Sequence, residues 1–157
     1  MIASLAEMMA RHARDGRVSW IGLRPARRET MEPRDRVEIT EAGLVGDRAR
    51  AGKRAVTLIQ AEHLPVIASL AELDAVGPEL LRRNIVVEGL NLLAFRKARL
   101  RIGSALLQIE GPCAPCSRME VALGQGGYNA MRGHGGVCAS VVEPGFVAIG
   151  DRVRPEI

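Results

Sequence analysis

Aromatic side chains are almost missing from this chain. One Trp, one Tyr and two Phe make up 3% of 157 residues, too few for the stacking platforms on which single-strand binders hold bases. The core must therefore come from Leu, Val, Ile and Ala. No apolar run approaches the ~18 residues of a membrane span. Arg11, Arg14 and Arg17 break the opening apolar residues too early for a secretory leader. Cysteine is limited to three, an odd number without a leader, which predicts a cytoplasmic protein with reduced thiols. No block of like charge forms a basic tail, so neither nucleic acid nor membrane is expected as a partner. The two glycine-rich segments, 124–127 and 133–136, fit neither the G-x-G-x-x-G nor the Walker spacing.

What remains is an ordinary globular composition, 47% apolar and 25% charged. The length predicts one domain over residues 1–157, large enough to bury a core without staples. Lys and Arg number 22 against 18 Asp and Glu, a net charge of +4. Arginine supplies nearly all of the positive charge, and its planar fork suits phosphate or carboxylate. An anionic small molecule fits that balance at least as well as a polymer.

Ile2, Leu5, Met8, Met9 and His12 recur at helical spacing until Asp15-Gly16 stops the pattern. Strands are predicted at 18–23, 36–40, 56–59, 104–110 and 137–142, with a strand pair over 146–153 broken by Gly150-Asp151. Residues 60–73 read as the longest helix, with Leu64, Ile67, Ala68 and Ala71 on its apolar face. Gly77-Pro78 breaks the pattern, residues 80–89 read as a helical turn entering a strand, and 90–95 as a turn. Arg24, Arg27 and Arg28 form either a solvated loop or a rim that attracts substrate. Gly-Asp-Arg occurs at 46–48 and 150–152, each read as a turn opening a strand. The glycine-rich segments bracket a small turn with Tyr128 and Met131. Many short strands, glycine turns and two substantial helices predict a mixed, strand-dominated domain, a closed or partly closed barrel.

The chemistry concentrates at Gly-Pro-Cys-Ala-Pro-Cys-Ser-Arg-Met, residues 111–119. Two thiols sit on a proline-stiffened turn after a strand, and Arg118 lies two residues past Cys116. Residues 117–123 read as helical turns whose first N–H groups would favour a Cys116 thiolate. Four readings stay open: two buried inert cysteines, a redox pair, a zinc site of Cys113, Cys116, His134 and Cys138, or one functional thiolate in a cofactor pocket. Arg82, Arg83 and Asn84 at the mouth of a predicted strand suggest an anionic ligand, and surface arginines paired with Glu79 and Glu88 fit the residues equally well. His63 reads as an ordinary helix histidine.

In order and spacing, several stretches resemble the MOSC family, the C-terminal domain of molybdenum cofactor sulfurases, in its small stand-alone bacterial type. They are Gly-Leu-Val-Gly-Asp-Arg from 43, Arg-Ala-Val-Thr-Leu-Ile-Gln-Ala-Glu-His-Leu from 54 and Leu-Arg-Arg-Asn-Ile-Val-Val-Glu-Gly-Leu-Asn-Leu from 81. The thiol stretch, Gly-His-Gly-Gly-Val-Cys-Ala from 133 and Ile-Gly-Asp-Arg-Val from 149 complete the match, roughly 43–153. The resemblance implies a β-barrel-like fold and binding of molybdenum cofactor (molybdopterin) or a related anionic ligand. It implies Cys116 as the molybdenum ligand or persulfide carrier, with Arg82, Asn84 and Arg118 holding the cofactor's anionic end. It leaves open an oxidoreductase component, a sulfurtransferase-like protein or a sulfur carrier without cofactor, and the residues keep a zinc-stapled binding module in play. No pyridoxal-phosphate site is expected in this chain, so a desulfurase or electron-transfer partner would act in trans.

Overall fold

A computed structural model describes residues 2–156. Seven strands close into a barrel: β1 (Gly16–Leu23), β5 (Val56–Gln60), β6 (Ile85–Glu88), β7 (Arg99–Ile102), β8 (Ala105–Pro112), β9 (Val137–Glu143) and β11 (Arg152–Glu156). The order β11-β7-β8-β9-β5-β6-β1 returns on itself through β1–β11 pairing at Gly16↔Val153. Among the described residues only β5 and β6 run parallel, with Leu58 opposite Ile85. Closure removes the free edges that invite unwanted strand pairing. A two-residue strand, β2 (Glu32–Pro33), pairs with the end of β1. A separate three-stranded sheet joins β3 (Arg36–Thr40), β4 (Gly43–Leu44) and β10 (Gly145–Ala148) in the order β10-β3-β4.

Strand alternation sorts the side chains into two apolar clusters. Val56, Leu58, Ile85, Val87, Leu107 and Ile109 belong to the cluster that fills the barrel. Ile59 and Val86, on the opposite faces of the same strands, join Ile67, Leu81, Met119, Leu123 and Met131 beneath the helices. Those helices are α2 (His63–Leu70), α3 (Pro78–Leu81), α4 (Ser117–Leu123) and α5 (Gly127–Met131). All five residues of β5 are buried, as a strand covered on both faces must be. No helix among the described residues is long and apolar enough to cross a membrane.

The strand positions hold to within a few residues, but the predicted pair over 146–153 does not form: β10 pairs with β3 while β11 pairs with β7 and β1. The helices also need correction. Among the described residues five short helices form rather than two. α1 (Leu5–Ala10) starts at a capping box in which Glu7 Oε2 accepts the Ser4 N–H at 2.8 Å and Ser4 Oγ accepts the Glu7 N–H at 3.2 Å. None of its side chains is buried, and His12 lies beyond its end, bonded to Asp15 at 2.9 Å and edge-on to Phe95. α2 is shorter than 60–73 because Gln60 ends β5, and Glu72 leaves the helix in the left-handed region at φ 56°. Pro78 opens α3 at its first turn, where a missing N–H costs nothing. Residues 92–95 wind into a short 3₁₀ turn.

The segment read as a glycine-bracketed turn is α5. The Glu120 carboxylate on α4 accepts the N–H groups of Gly126 and Tyr128, both at 3.0 Å, and so caps α5 from a neighbouring helix. Those bonds hold the Glu120 carboxyl below its usual pKa. Gly136 has φ 88°, and a Cβ there would lie 1.9 Å from the Leu58 carbonyl oxygen. Only glycine lets the start of β9 approach β5 this closely.

Candidate functional site

The site forms where β1 and β8 end and where β5 and β6 begin. Its foundation is a buried polar hub. Asn84 is fully buried. Its side-chain oxygen accepts from the Thr57 N–H at 3.2 Å and the Thr57 hydroxyl at 3.1 Å, and its amide donates to the Gly22 carbonyl at 3.1 Å and Asp47 Oδ1 at 3.2 Å. Two lone pairs and two donors are all that an asparagine side chain has, so Asn84 has nothing left for a ligand. It braces the site from beneath and is not among the residues that line the cavity.

Asp47, from the Gly-Leu-Val-Gly-Asp-Arg stretch, is the second member of the hub. Its carboxylate accepts from the Arg24 N–H at 2.6 Å, Arg24 Nε at 3.2 Å and Arg24 Nη2 at 2.9 Å. Arg24 therefore belongs to the site, while Arg27 and Arg28 are exposed. The 46–48 turn opens no strand: β5 begins only at Val56, after a basic loop that carries Arg48, Arg50 and Arg54. The 150–152 turn does lead into β11.

Above the hub lies a cavity of about 410 Å³ lined by Arg24, Arg48, Arg50, Arg54, Arg82, Arg83 and Arg118, with Cys116 on its wall. No Asp or Glu among the described residues lines it. Arg82 closes α3 in the left-handed region at φ 58° and donates to the carbonyls of Glu29 and Ala26. Burial, then the guanidiniums of Arg24, Arg48 and Arg118, lower the Arg82 pKa from its ordinary value, with Asp47 opposing them. Arg83 is 7% exposed and donates to the carbonyls of Gly135 at 2.7 Å, Leu81 at 2.9 Å and Cys113 at 3.4 Å. Neither arginine pairs with Glu79 or Glu88 among the described residues. Arg48, Arg50, Arg54 and Arg118 carry no side-chain hydrogen bond or ion pair among the described residues. These four guanidiniums are the ones free to grip a ligand.

The three cysteines separate into two environments. Cys116 is exposed on the cavity wall as the residue that caps α4, with its side chain unbonded to the helix. Cys113 and Cys138 are buried together. A hydrogen bond from the Cys138 thiol, followed by the charges of Arg83, Arg54 and Arg24, outweighs burial and brings the Cys113 pKa down to about 6. That same bond, burial and the Cys113 charge push Cys138 up. The sequence places no charge beside Cys113, but the fold surrounds it with arginines from three other segments. The zinc arrangement does not assemble: no group of three or more His, Cys, Asp or Glu side chains is placed to hold a metal ion among the described residues.

His134 instead meets His63 edge to face, with ring centroids 5.4 Å apart. His63 Nδ1 is buried without a partner, and burial, then the charge of His134, lowers the His63 pKa. Folding therefore favours the neutral ring. This contribution is full above the unfolded value near ~6.5 and is lost as pH falls through the lower folded value. A urea-unfolding series in this window should show a steeper acid loss for the wild type than for His63→Gln; matching profiles would remove His63 as the cause.

Sequence reasoning named Arg82, Asn84, Arg118 and Cys116, and the structure brings Arg82, Arg118 and Cys116 onto one cavity. Of the arginines it offered as a rim, only Arg24 lines the cavity; it missed the role of Asp47 and left the 48–54 loop out of the site. The density of arginine in that loop was the available signal.

A family model described as MOSC domain matches residues 45–154. No curated protein matches the chain. Among solved structures, the YuaD protein of Bacillus subtilis superposes with TM-score 0.77 at 19% identity, covering 89% of this chain and 94% of that one. YiiM of Escherichia coli superposes with TM-score 0.69 at 23% identity, over 90% and 70% of the two chains. YiiM of Geobacillus stearothermophilus gives 0.75 at 17%, over 90% and 75%. Identities this low speak to the fold, which is the same strand-dominated barrel, while the family model spans more than half of the sequence. The chain belongs to the MOSC domain family.

Proposed function

We propose that this MOSC domain binds molybdenum cofactor or a closely related phosphate-bearing ligand in the arginine cavity, with the Cys116 thiolate facing its reactive end. The observation that carries this reading is the pairing of an exposed thiol with seven arginines and, among the described residues, no carboxylate on one cavity wall. The donor set fits the group: guanidiniums match phosphate through paired N–H bonds, and a thiolate is a soft ligand suited to a transition metal. Arg48, Arg50, Arg54 and Arg118 would hold the anionic end, with Arg82 and Arg83 fixing the wall behind it. The cofactor would supply a redox-active metal; the chain supplies anion recognition and one thiolate. Because Cys116 is exposed, a sulfur carrier that loads a persulfide on this residue is the rival reading.

Purification from a host that makes the cofactor tests both. Wild-type protein should retain molybdenum, and Cys116→Ser should lose it while keeping its melting temperature. A wild type without molybdenum, but heavier by one sulfur atom at Cys116, would replace cofactor binding by sulfur carriage. Zinc that survives Cys116→Ser would argue against both.

A further inference from the structure

We propose that Cys113 and Cys138 form a second reactive site, a buried dithiol that closes to a disulfide when a hydroperoxide takes its two electrons. Three observations meet here. β8 and β9 pair with Gly111 opposite Cys138, and the Cys113 N–H donates to the Gly136 carbonyl at 2.8 Å. Cys113, two residues beyond Gly111, therefore lies diagonal to Cys138 on one face of the ladder, and both side chains are buried. Next to them, Arg83 is a buried guanidinium with no carboxylate partner among the described residues; its side chain bonds only carbonyls. A buried charge is costly without a counter-charge. The Cys113 thiolate supplies one, with Arg54 also acting on it. Finally, Cys138 is held as the protonated donor, which gives the two sulfurs different tasks.

The Cys113 thiolate attacks one peroxide oxygen. The O–O bond breaks, leaving a sulfenic acid on Cys113, and the departing alkoxide or hydroxide takes a proton from water. Cys138 Sγ then attacks Cys113 Sγ: the S–S bond forms, the S–O bond breaks, and the Cys138 proton leaves with the hydroxyl group as water. Two thiols and one hydroperoxide give one disulfide, one alcohol or water, and one further water. Cys116 has no part in the balance. Arg54 and Arg83 also line the cavity, but the dithiol chemistry does not use Cys116, and its test needs no ligand.

Wild-type protein and Cys116→Ser, both without added ligand, are treated with hydrogen peroxide at about pH 6.5, where an ordinary thiol is roughly 1% ionised. The expected product in both is two hydrogen masses lighter. Non-reducing peptide mapping should link the peptides that contain Cys113 and Cys138. Formation should be at least about tenfold faster than oxidation of free cysteine under the same conditions, reflecting the larger thiolate fraction. In Cys138→Ser the sulfenic acid should persist on Cys113 and be trapped by dimedone; in Cys113→Ser, Cys138 should stay reduced. A Cys113–Cys116 link overturns the proposal. So does a rate no faster than free cysteine, or absence of the disulfide in the folded wild type at peroxide levels that oxidise the urea-unfolded chain.

Discussion

Asn84→Ala is expected to lower the stability of the protein by about 3 kcal/mol, because it removes a saturated buried amide and strands its partners. The Thr57 N–H, the Gly22 carbonyl and one acceptor position of Asp47 would each lose a bond. For a chain of this length that corresponds to a melting temperature lower by roughly 10 °C. The effect should spread to the cavity, since Asp47 fixes both the backbone and the guanidinium of Arg24. Urea unfolding monitored by circular dichroism reads the first effect and anion titration the second. A variant within about 1 kcal/mol of the wild type would mean that the hub is replaceable and that the site is positioned by something else.

Arg118→Ala is expected to do the opposite, leaving the fold intact and damaging binding. The Arg118 guanidinium carries no internal bond among the described residues, so its removal strands no buried group. One charge-assisted bond to phosphate contributes about 1.5–3 kcal/mol, roughly one to two decades of affinity. Calorimetric titration with inorganic pyrophosphate should show that loss, while the urea midpoint stays put. Raising the salt concentration should weaken wild-type binding in the same experiment, because the cavity is open to solvent and its charges are screened. Arg82→Ala makes the useful contrast. It removes bonds to the carbonyls of Ala26 and Glu29, so it should lose affinity and also about 1–2 kcal/mol of stability. Unchanged pyrophosphate affinity in both variants would defeat the anion-cavity reading, whatever happens to Cys116.

The strands were legible because their signals are local. Alternation over 36–40 and the apolar run at 56–59 sort side chains to the faces of a ladder with a period of two, and Gly150-Asp151 marks a turn wherever it occurs. The start of α4 after Cys116 was legible for the same reason. α5 was not. Its N-terminus is satisfied by Glu120, six residues before Gly126 and eight before Tyr128, and no capping pattern read along one helix contains that bond.

By itself the sequence determined that thiols arrive at the end of a strand, that arginine dominates the positive charge, and that the order of short motifs is that of a MOSC barrel. The tertiary structure decided which arginines gather on one cavity, that Asn84 is buried beneath it, and that Cys113 and Cys138 are both buried where β8 meets β9, with Arg83 bonded to the Cys113 carbonyl. Asn84 meets Thr57, Asp47 and Gly22 across 27, 37 and 62 residues, and Arg83 meets Cys113 across 30. Such contacts follow from barrel closure and strand register. The charge and burial around a side chain depend on what closure brings beside it, and near neighbours in the chain do not encode that.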